Sequence, residues 1–306
     1  MAKAIGIDVG GTNLRVGVFE EHRLLQETRF QADFSEICHT HSPAQAWEKI
    51  IDTTATGIRN VLHQFPEVQH IGIGFPGFID PKTQTVAQSP NFPGLKNVNL
   101  AQDLASILQK KVIVENDALA AAYGEYCLAD KPTTGLIYLG LGTGLGGGFI
   151  YAGTPFAGHH GVAMEAGHII VEPNGRLCGC GNHGCVEQYA SASGVTISYA
   201  LSTHQQLTAY EIAQLADAGN CDAIAAYQQA GNYLGQMLAS VVKVLDVPNV
   251  VIGGGMSHAW HLMCDSFEAR LEADLIPVLR GKLLVTPTKT GDIAGMLGAS
   301  LLARHW

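Results

Sequence analysis

The chain has 306 residues, 47% hydrophobic and only 15% charged, with a net charge of −9. That balance provides for two cores of ordinary size, argues against long disordered segments, and leaves no basic run to meet nucleic acid or an anionic membrane. No apolar run reaches the roughly 18 residues of a membrane span, and the opening MAKAIGIDVGG reads directly as a strand rather than a leader, so a soluble cytoplasmic protein is expected.

Residues 3–8 alternate as a strand, and GTNLRVGVFE continues with a second. Between them lie Asp8, Gly10, Gly11, Thr12 and Asn13. Such glycines can simply make a hairpin turn, or their amides and the Thr12 hydroxyl can cradle phosphate with Asp8 near a magnesium ion. A third strand is predicted over 24–32, a helix over about 43–64 and a buried strand over 70–75, which ends at Pro76-Gly77. A short strand over 84–88 precedes a loop that carries Asn91. A helix over 100–108 is followed by the strand KVIVE, Asn116-Asp117, and a helix over 118–126. Asp117 reads as the N-cap of that helix, yet strand-to-helix junctions in α/β sheets are also where catalytic groups gather.

A strand over 136–141 then leads into Gly142-Thr143-Gly144-Leu145-Gly146-Gly147-Gly148 and the partner strand FIYAG. The strand, G-T turn, strand pattern therefore occurs twice, and two such turns could clamp a triphosphate. From Glu165 to Glu187 the chain reads EAGHIIVEPNGRLCGCGNHGCVE. Cys178, Cys180 and Cys185 with His168 make a Cys₃His set for tetrahedral zinc, and Gly179, Gly181 and Gly184 allow the turns that aim them together. An odd total of seven cysteines argues against a disulfide framework. A closed set leaves no position for water, so the metal is expected to be structural, with Glu165 and Glu187 fixed beside it as acceptors for a hydroxyl-rich ligand. Helices are predicted over 189–201, 209–218 and 223–245. A strand over 250–252 ends in Gly253-Gly254-Gly255, either a plain tight turn or a place for a flat ligand to approach backbone; a helix is predicted from about Ala259. A strand over 283–286 and a helix over 293–303 finish the chain.

The motifs DVGGTN (8–13), FPG (75–77), END (115–117), LGTGLGGG (141–148), EAGH (165–168), CGCGNHGC (178–185) and VIGGG (251–255) resemble, over essentially the whole chain, the repressor–ORF–kinase family of sugar kinases and regulators. The resemblance implies the actin-like ATPase (ribonuclease H-like) fold, with two α/β domains and an active-site cleft between them. A small domain is expected over 1–117, completed by a C-terminal helix over 292–306, and a large one over 118–291 holding the zinc segment. The family's DNA-binding members carry an N-terminal helix-turn-helix domain, for which there is no room here, so a kinase is expected. By position, Asp117 corresponds to the general base, and Gly77, Asn91, Asn116, Glu165, His168 and Glu187 to groups that hold the sugar. Asp8, Gly10, Gly11, Thr12, Asn13, Thr143 and Gly144 correspond to the phosphate loops for ATP with Mg²⁺, and Gly254 and Gly255 to the adenosine loop. Many members have Lys where this chain has Asn13. The resemblance is nearest to the glucose-phosphorylating branch. Kinases for N-acetylglucosamine, N-acetylmannosamine and fructose share nearly every motif, and a non-catalytic sugar sensor or an actin-like filament or chaperone ATPase stands further off. The family also implies a homodimer.

Overall fold

The structure is a computed structural model that describes residues 3–129, 133–291 and 293–305. Strands Lys3–Val9 (β1), Asn13–Glu20 (β2) and Arg23–Gln31 (β3) form an antiparallel meander. Helices Phe34–Thr40 (α1) and Pro43–Leu62 (α2) follow. Proline at the first position and a Ser42 amide donating to the Gln45 side chain (3.3 Å) start α2, as a capping box does. Next come His70–Phe75 (β4), the short Phe78–Ile79 (β5), Val86–Gln88 (β6) and Lys96–Val98 (β7), Leu100–Leu108 (α3), Lys111–Asn116 (β8) and Asp117–Cys127 (α4). The second half holds Gly135–Leu141 (β9), Leu145–Tyr151 (β10), Thr154–Pro155 (β11), Glu187–Ala190 (α5), Ala192–Thr203 (α6), Ala209–Asp217 (α7), Cys221–Leu245 (α8), Asn249–Gly253 (β12), Cys264–Asp274 (α9), Leu284–Pro287 (β13) and Ile293–His305 (α10). No helix among the described residues is long and apolar enough to cross a membrane.

Two five-stranded sheets have the orders β3-β2-β1-β4-β8 and β11-β10-β9-β12-β13. Counted along each half, both run third, second, first, fourth, fifth. In each, the first strand pairs in parallel with the fourth, and the fourth with the fifth. The two G-T turns thus occupy the same station, the first hairpin of each sheet.

The chain divides into two compact units, one within Met1–Thr133, Gly148–Ala163 and Asp292–Trp306, the other Thr134–Gly147 and Met164–Gly291. The first is built on buried Ile5, Ile7, Val16, Ile50, Ile58, Ile71, Phe75 and Val114. Its sheet is crossed by α10 at backbone contact: a Cβ on Gly6 would lie 1.8 Å from the Met296 carbonyl, and one on Gly72 1.8 Å from that of Ala299. The expected domain boundary after residue 117 is not where this unit ends. Helix α4 packs on α10 through Gly298 against the Ala120 carbonyl, and Gly148 packs on α4 at Ala118 and Ala122, so both segments belong with the first sheet. Of the helix expected over 292–306, Asp292 and Trp306 lie outside the described residues.

Three other expectations change. Helix α1 and strands β5 and β7 fall in stretches for which no element was predicted. The helix expected from Tyr189 is two, because Ser191 is extended and its hydroxyl oxygen accepts from the Gly194 amide (3.1 Å), restarting the helix as α6. The helix expected from Ala259 is a 3₁₀ segment, Gly255–Leu262, before α9.

Candidate active site and metal cluster

At the carboxyl end of β8 the chain turns into α4. The residue that caps the helix is Asn116, whose Oδ1 accepts from the Leu119 amide at 3.0 Å. Asp117 is therefore the first helical residue, not the N-cap that its position suggested; its Oδ1 accepts from the Ala118 amide at 2.8 Å. Burial raises its carboxyl above the ordinary range, the adjacent amides opposing the shift. Asn116 also donates from Nδ2 to the Gly77 carbonyl at 3.1 Å, and the Ser89 hydroxyl donates to the Pro76 carbonyl. Gly77 and Asn116 are thus brought together. Asn91 is exposed on the neighbouring loop. Glu115 was missed in the sequence: burial pushes its carboxyl up to about 7, with Oε1 accepting from the Asn116 amide at 2.8 Å. The signal was a lone carboxylate closing the apolar run VIV.

Each glycine turn is closed by an internal backbone bond, of different span in the two copies. Gly10 donates its amide to the Asn13 carbonyl (2.8 Å), and Gly142 donates to the Gly144 carbonyl (2.9 Å). Gly10 therefore shapes the turn rather than donating to a ligand. Thr12 and Thr143 are both exposed at the tips. Asn13 donates from Nδ2 to Thr12 Oγ1 at 3.0 Å, which leaves the hydroxyl hydrogen to point outward. Asp8 sits opposite Arg15 across the β1–β2 pair, with 3.8 Å between Oδ2 and Nη1. In the second copy the glycines expected to extend the turn, Gly146–Gly148, belong to strand β10. Gly147 is required there because a Cβ would lie 2.4 Å from the Met164 carbonyl.

The third glycine run divides by role. A Cβ on Gly253 would lie 2.3 Å from the Tyr138 hydroxyl and 2.5 Å from its ring; Gly254 has φ 77° and lies against the Leu141 carbonyl. Those two are demanded by packing and backbone shape. Gly255 alone of the three has open space where its Cβ would be, and it is exposed. A cavity of 540 Å³ opens beside Thr143, lined by Ser193, Thr196, Ile197, Leu207 and Thr208 among others.

His168, Cys178, Cys180 and Cys185 converge, with all their donor atoms within 4.8 Å of one another. Sγ of Cys180 and Cys185 are 3.6 Å apart, and Cys178 Sγ is 3.6 Å from His168 Nδ1. A tetrahedral zinc site has sulfur–sulfur edges of about 3.8 Å and sulfur–nitrogen edges of about 3.6 Å, from the usual bond lengths. The donor set and spacing therefore fit zinc. The loop is pinned by Cys178 donating its amide to the Asn182 carbonyl (2.8 Å) and Gly184 to that of Arg176 (2.8 Å). Gly181 (φ 92°) and Gly184 (φ 80°) take left-handed conformations, whereas Gly179 does not.

The carboxylates flank this cluster. His168 turns Nδ1 to Cys178 and Nε2 toward Glu165 Oε2, 3.8 Å away, so one imidazole faces both metal ligands and acceptor. Glu187 opens α5. A second residue the sequence reading passed over, Arg176, holds α5 in place. Its Nη1 donates to the carbonyls of Gln188 (2.5 Å) and Gly194 (3.2 Å), and its guanidinium lies 4.4 Å over the Tyr189 ring. A single cation inside a Gly- and Cys-rich loop was the available signal.

The sequence profile of the ROK family matches residues 4–305. A glucokinase of Thermotoga maritima is 31% identical, the alignment covering 99% of this chain and 98% of that protein. An N-acetyl-D-glucosamine kinase of Escherichia coli is also 31% identical, over 97% of this chain and 98% of that one. Among solved structures, a ROK family glucokinase from Streptomyces griseus in complex with glucose and AMPPNP superposes with a TM-score of 0.85 at 31% identity, covering 100% of both chains. The chain belongs to the ROK family and has its actin-like ATPase fold.

Proposed function

We propose that the protein is an ATP-dependent sugar kinase that phosphorylates the 6-hydroxyl of glucose. The observation that carries this reading is Asp117: a carboxylate at the carboxyl end of a sheet strand, its pKa raised by burial, as a general base requires. A sensor needs no such base, and the similarity to a glucokinase and an N-acetylglucosamine kinase over nearly the whole chain supports sugar phosphorylation.

Phosphoryl transfer asks little covalent chemistry of the protein; it asks for positioning and charge neutralisation. Asp117 accepts the proton of the attacking hydroxyl. Asn116, held by Gly77 and by the start of α4, offers its side-chain amide to the sugar, and Asn91 is a further donor. Glu165, His168 through Nε2, and Glu187 accept from or donate to the remaining hydroxyls. The amides of Gly11, Thr12, Thr143 and Gly144 and both threonine hydroxyls take the phosphates, with Asp8 toward Mg²⁺ and Asn13 orienting Thr12. Gly254 and Gly255 receive the adenosine, Gly255 by leaving backbone uncovered. His168, Cys178, Cys180 and Cys185 would hold zinc, whose contribution is a rigid crosslink of the loop bearing the acceptors.

The equal identity to a glucokinase and an N-acetylglucosamine kinase favours one second reading, an N-acetylhexosamine kinase. Initial rates of ADP formation with glucose, N-acetylglucosamine, N-acetylmannosamine and fructose decide between them. Glucose is expected to give the highest kcat/KM. A higher value for an acetylated sugar replaces glucose as substrate, and no sugar-dependent ADP at all rejects the kinase.

A further inference from the structure

Glu187 is half-buried, and its two oxygens face different parts of the second unit. Oε2 accepts from the Leu145 amide at 3.0 Å, where the 142–144 turn enters β10. Oε1 lies 3.9 Å from Cys178 Sγ. Gly144 packs so closely that a Cβ there would be 2.5 Å from Oε2. The segment after Glu187 grips the same turn: the Ala192 amide donates to the Gly142 carbonyl (2.9 Å), and the Ser193 hydroxyl to that of Thr143 (2.8 Å). Since Gly142 closes on the Gly144 carbonyl, all three carbonyls of the turn are held by protein, and Leu145 is held by Glu187. The amides of Thr143 and Gly144 are then the donors that remain for a phosphate.

An anionic side chain beside a phosphate turn repels the ligand. Its presence needs a compensating role, and the bond to the Leu145 amide supplies one. We propose that Glu187 is a positioning residue for the phosphate turn, so that nucleotide affinity depends on this side chain even when no sugar is bound. This rests on reading the 142–144 turn as a phosphate site. What the turn requires of residue 187 is an acceptor oxygen at the right reach, not a charge. A carboxylate has about four lone-pair directions and the Leu145 amide takes one, so a sugar hydroxyl and the turn can share it. A sugar that fixes the carboxylate also fixes the turn, and the linkage is reciprocal.

The test is the sugar-free Kd of a non-hydrolysable ATP analogue with Mg²⁺, by calorimetry. Glu187→Ala removes the acceptor and is expected to weaken binding about tenfold or more, in keeping with the cost of leaving the Leu145 amide without its acceptor. Glu187→Gln keeps an oxygen for the Leu145 amide and drops the charge, so nucleotide Kd should stay at or below the wild-type value while the KM for sugar rises. Glu187→Asp keeps the charge and loses reach, and should bind nucleotide as weakly as Ala; it carries the test if the Ala variant does not fold. Wild-type nucleotide affinity in Ala or Asp overturns the proposal while leaving the kinase intact. Equal weakening in Gln and Ala overturns it in favour of charge. A wild-type protein that binds no nucleotide overturns both this proposal and the kinase reading.

Discussion

Asp117 and Asn116 divide labour that the sequence assigned to one residue. Because Asn116 is the cap, Asp117→Asn leaves the start of α4 intact and removes only the proposed proton acceptor. Its kcat is expected to fall on the order of 10²–10⁴-fold at saturating substrates, the usual span for a lost general base. Its melting temperature at pH 8 should not fall. A folded-state pKa raised above the unfolded one means that ionisation opposes folding: the penalty is complete above the folded pKa and absent below the unfolded pKa, and Asn never incurs it. Steady-state kinetics with a parallel melt checks both halves, and a variant retaining more than about a tenth of wild-type kcat excludes Asp117 as the base. Glu115 gives the same sign with a defined window. Its carboxyl moves from an ordinary 4.5 to about 7, so the penalty grows between those values and is complete above 7. Glu115→Gln, which keeps an oxygen for the Asn116 amide, should stabilise the protein by up to about 3 kcal/mol at pH 8 and by nothing near pH 4. Denaturant titrations at the two pH values measure it; equal stability of both proteins at pH 8 contradicts it.

At the scale of elements, the metal loop and the second turn behave as one piece. Cys180→Ser removes one of four donors and should lower zinc content, melting temperature and sugar affinity together; full activity in protein shown to be metal-free contradicts the structural role. Gly184→Ala should do the same with every ligand intact, since φ is 80° and the new Cβ would lie 1.7 Å from the Glu172 carbonyl. Metal analysis and melting of that variant separate backbone strain from ligand loss. If the turn binds phosphate as proposed, Gly144→Val should raise the KM for ATP by blocking an amide, and the contact with Glu187 means that the sugar KM should rise as well. An unchanged sugar KM would show that Glu187 moves freely of the turn. The convergence of His168 with Cys178, Cys180 and Cys185 was legible because residue type and spacing are local features of the sequence. The restart at Ser191 was not, because a serine inside an apolar helical pattern looks like any other residue until its hydroxyl is seen capping Gly194. Nor was Arg176, whose partners lie 12 to 22 positions away.

For the whole molecule, the doubled strand–G-T turn–strand pattern in the sequence corresponds to two sheets of identical strand order. The ownership of helices was not legible. Assigning α4 to the first unit depends on backbone contacts between residues more than 170 positions apart, such as Gly298 on Ala120. Short strands such as β5 and β7 carry too few residues to show a period. Because α10 lies on β1 and β4 with no room for a side chain at Gly6 or Gly72, a chain truncated before Ile293 should fail to form the first unit. Circular dichroism and limited proteolysis of that truncation check this, and native-like protection of residues 3–127 contradicts it. Transfer of phosphate from ATP to a sugar is read without a coupling enzyme by ³¹P NMR of a mixture of protein, Mg-ATP and glucose. The γ-phosphate resonance should be replaced by that of a sugar 6-phosphate, with no ATP consumed when glucose is left out. Release of inorganic phosphate without glucose, or spectra that do not change, would contradict it.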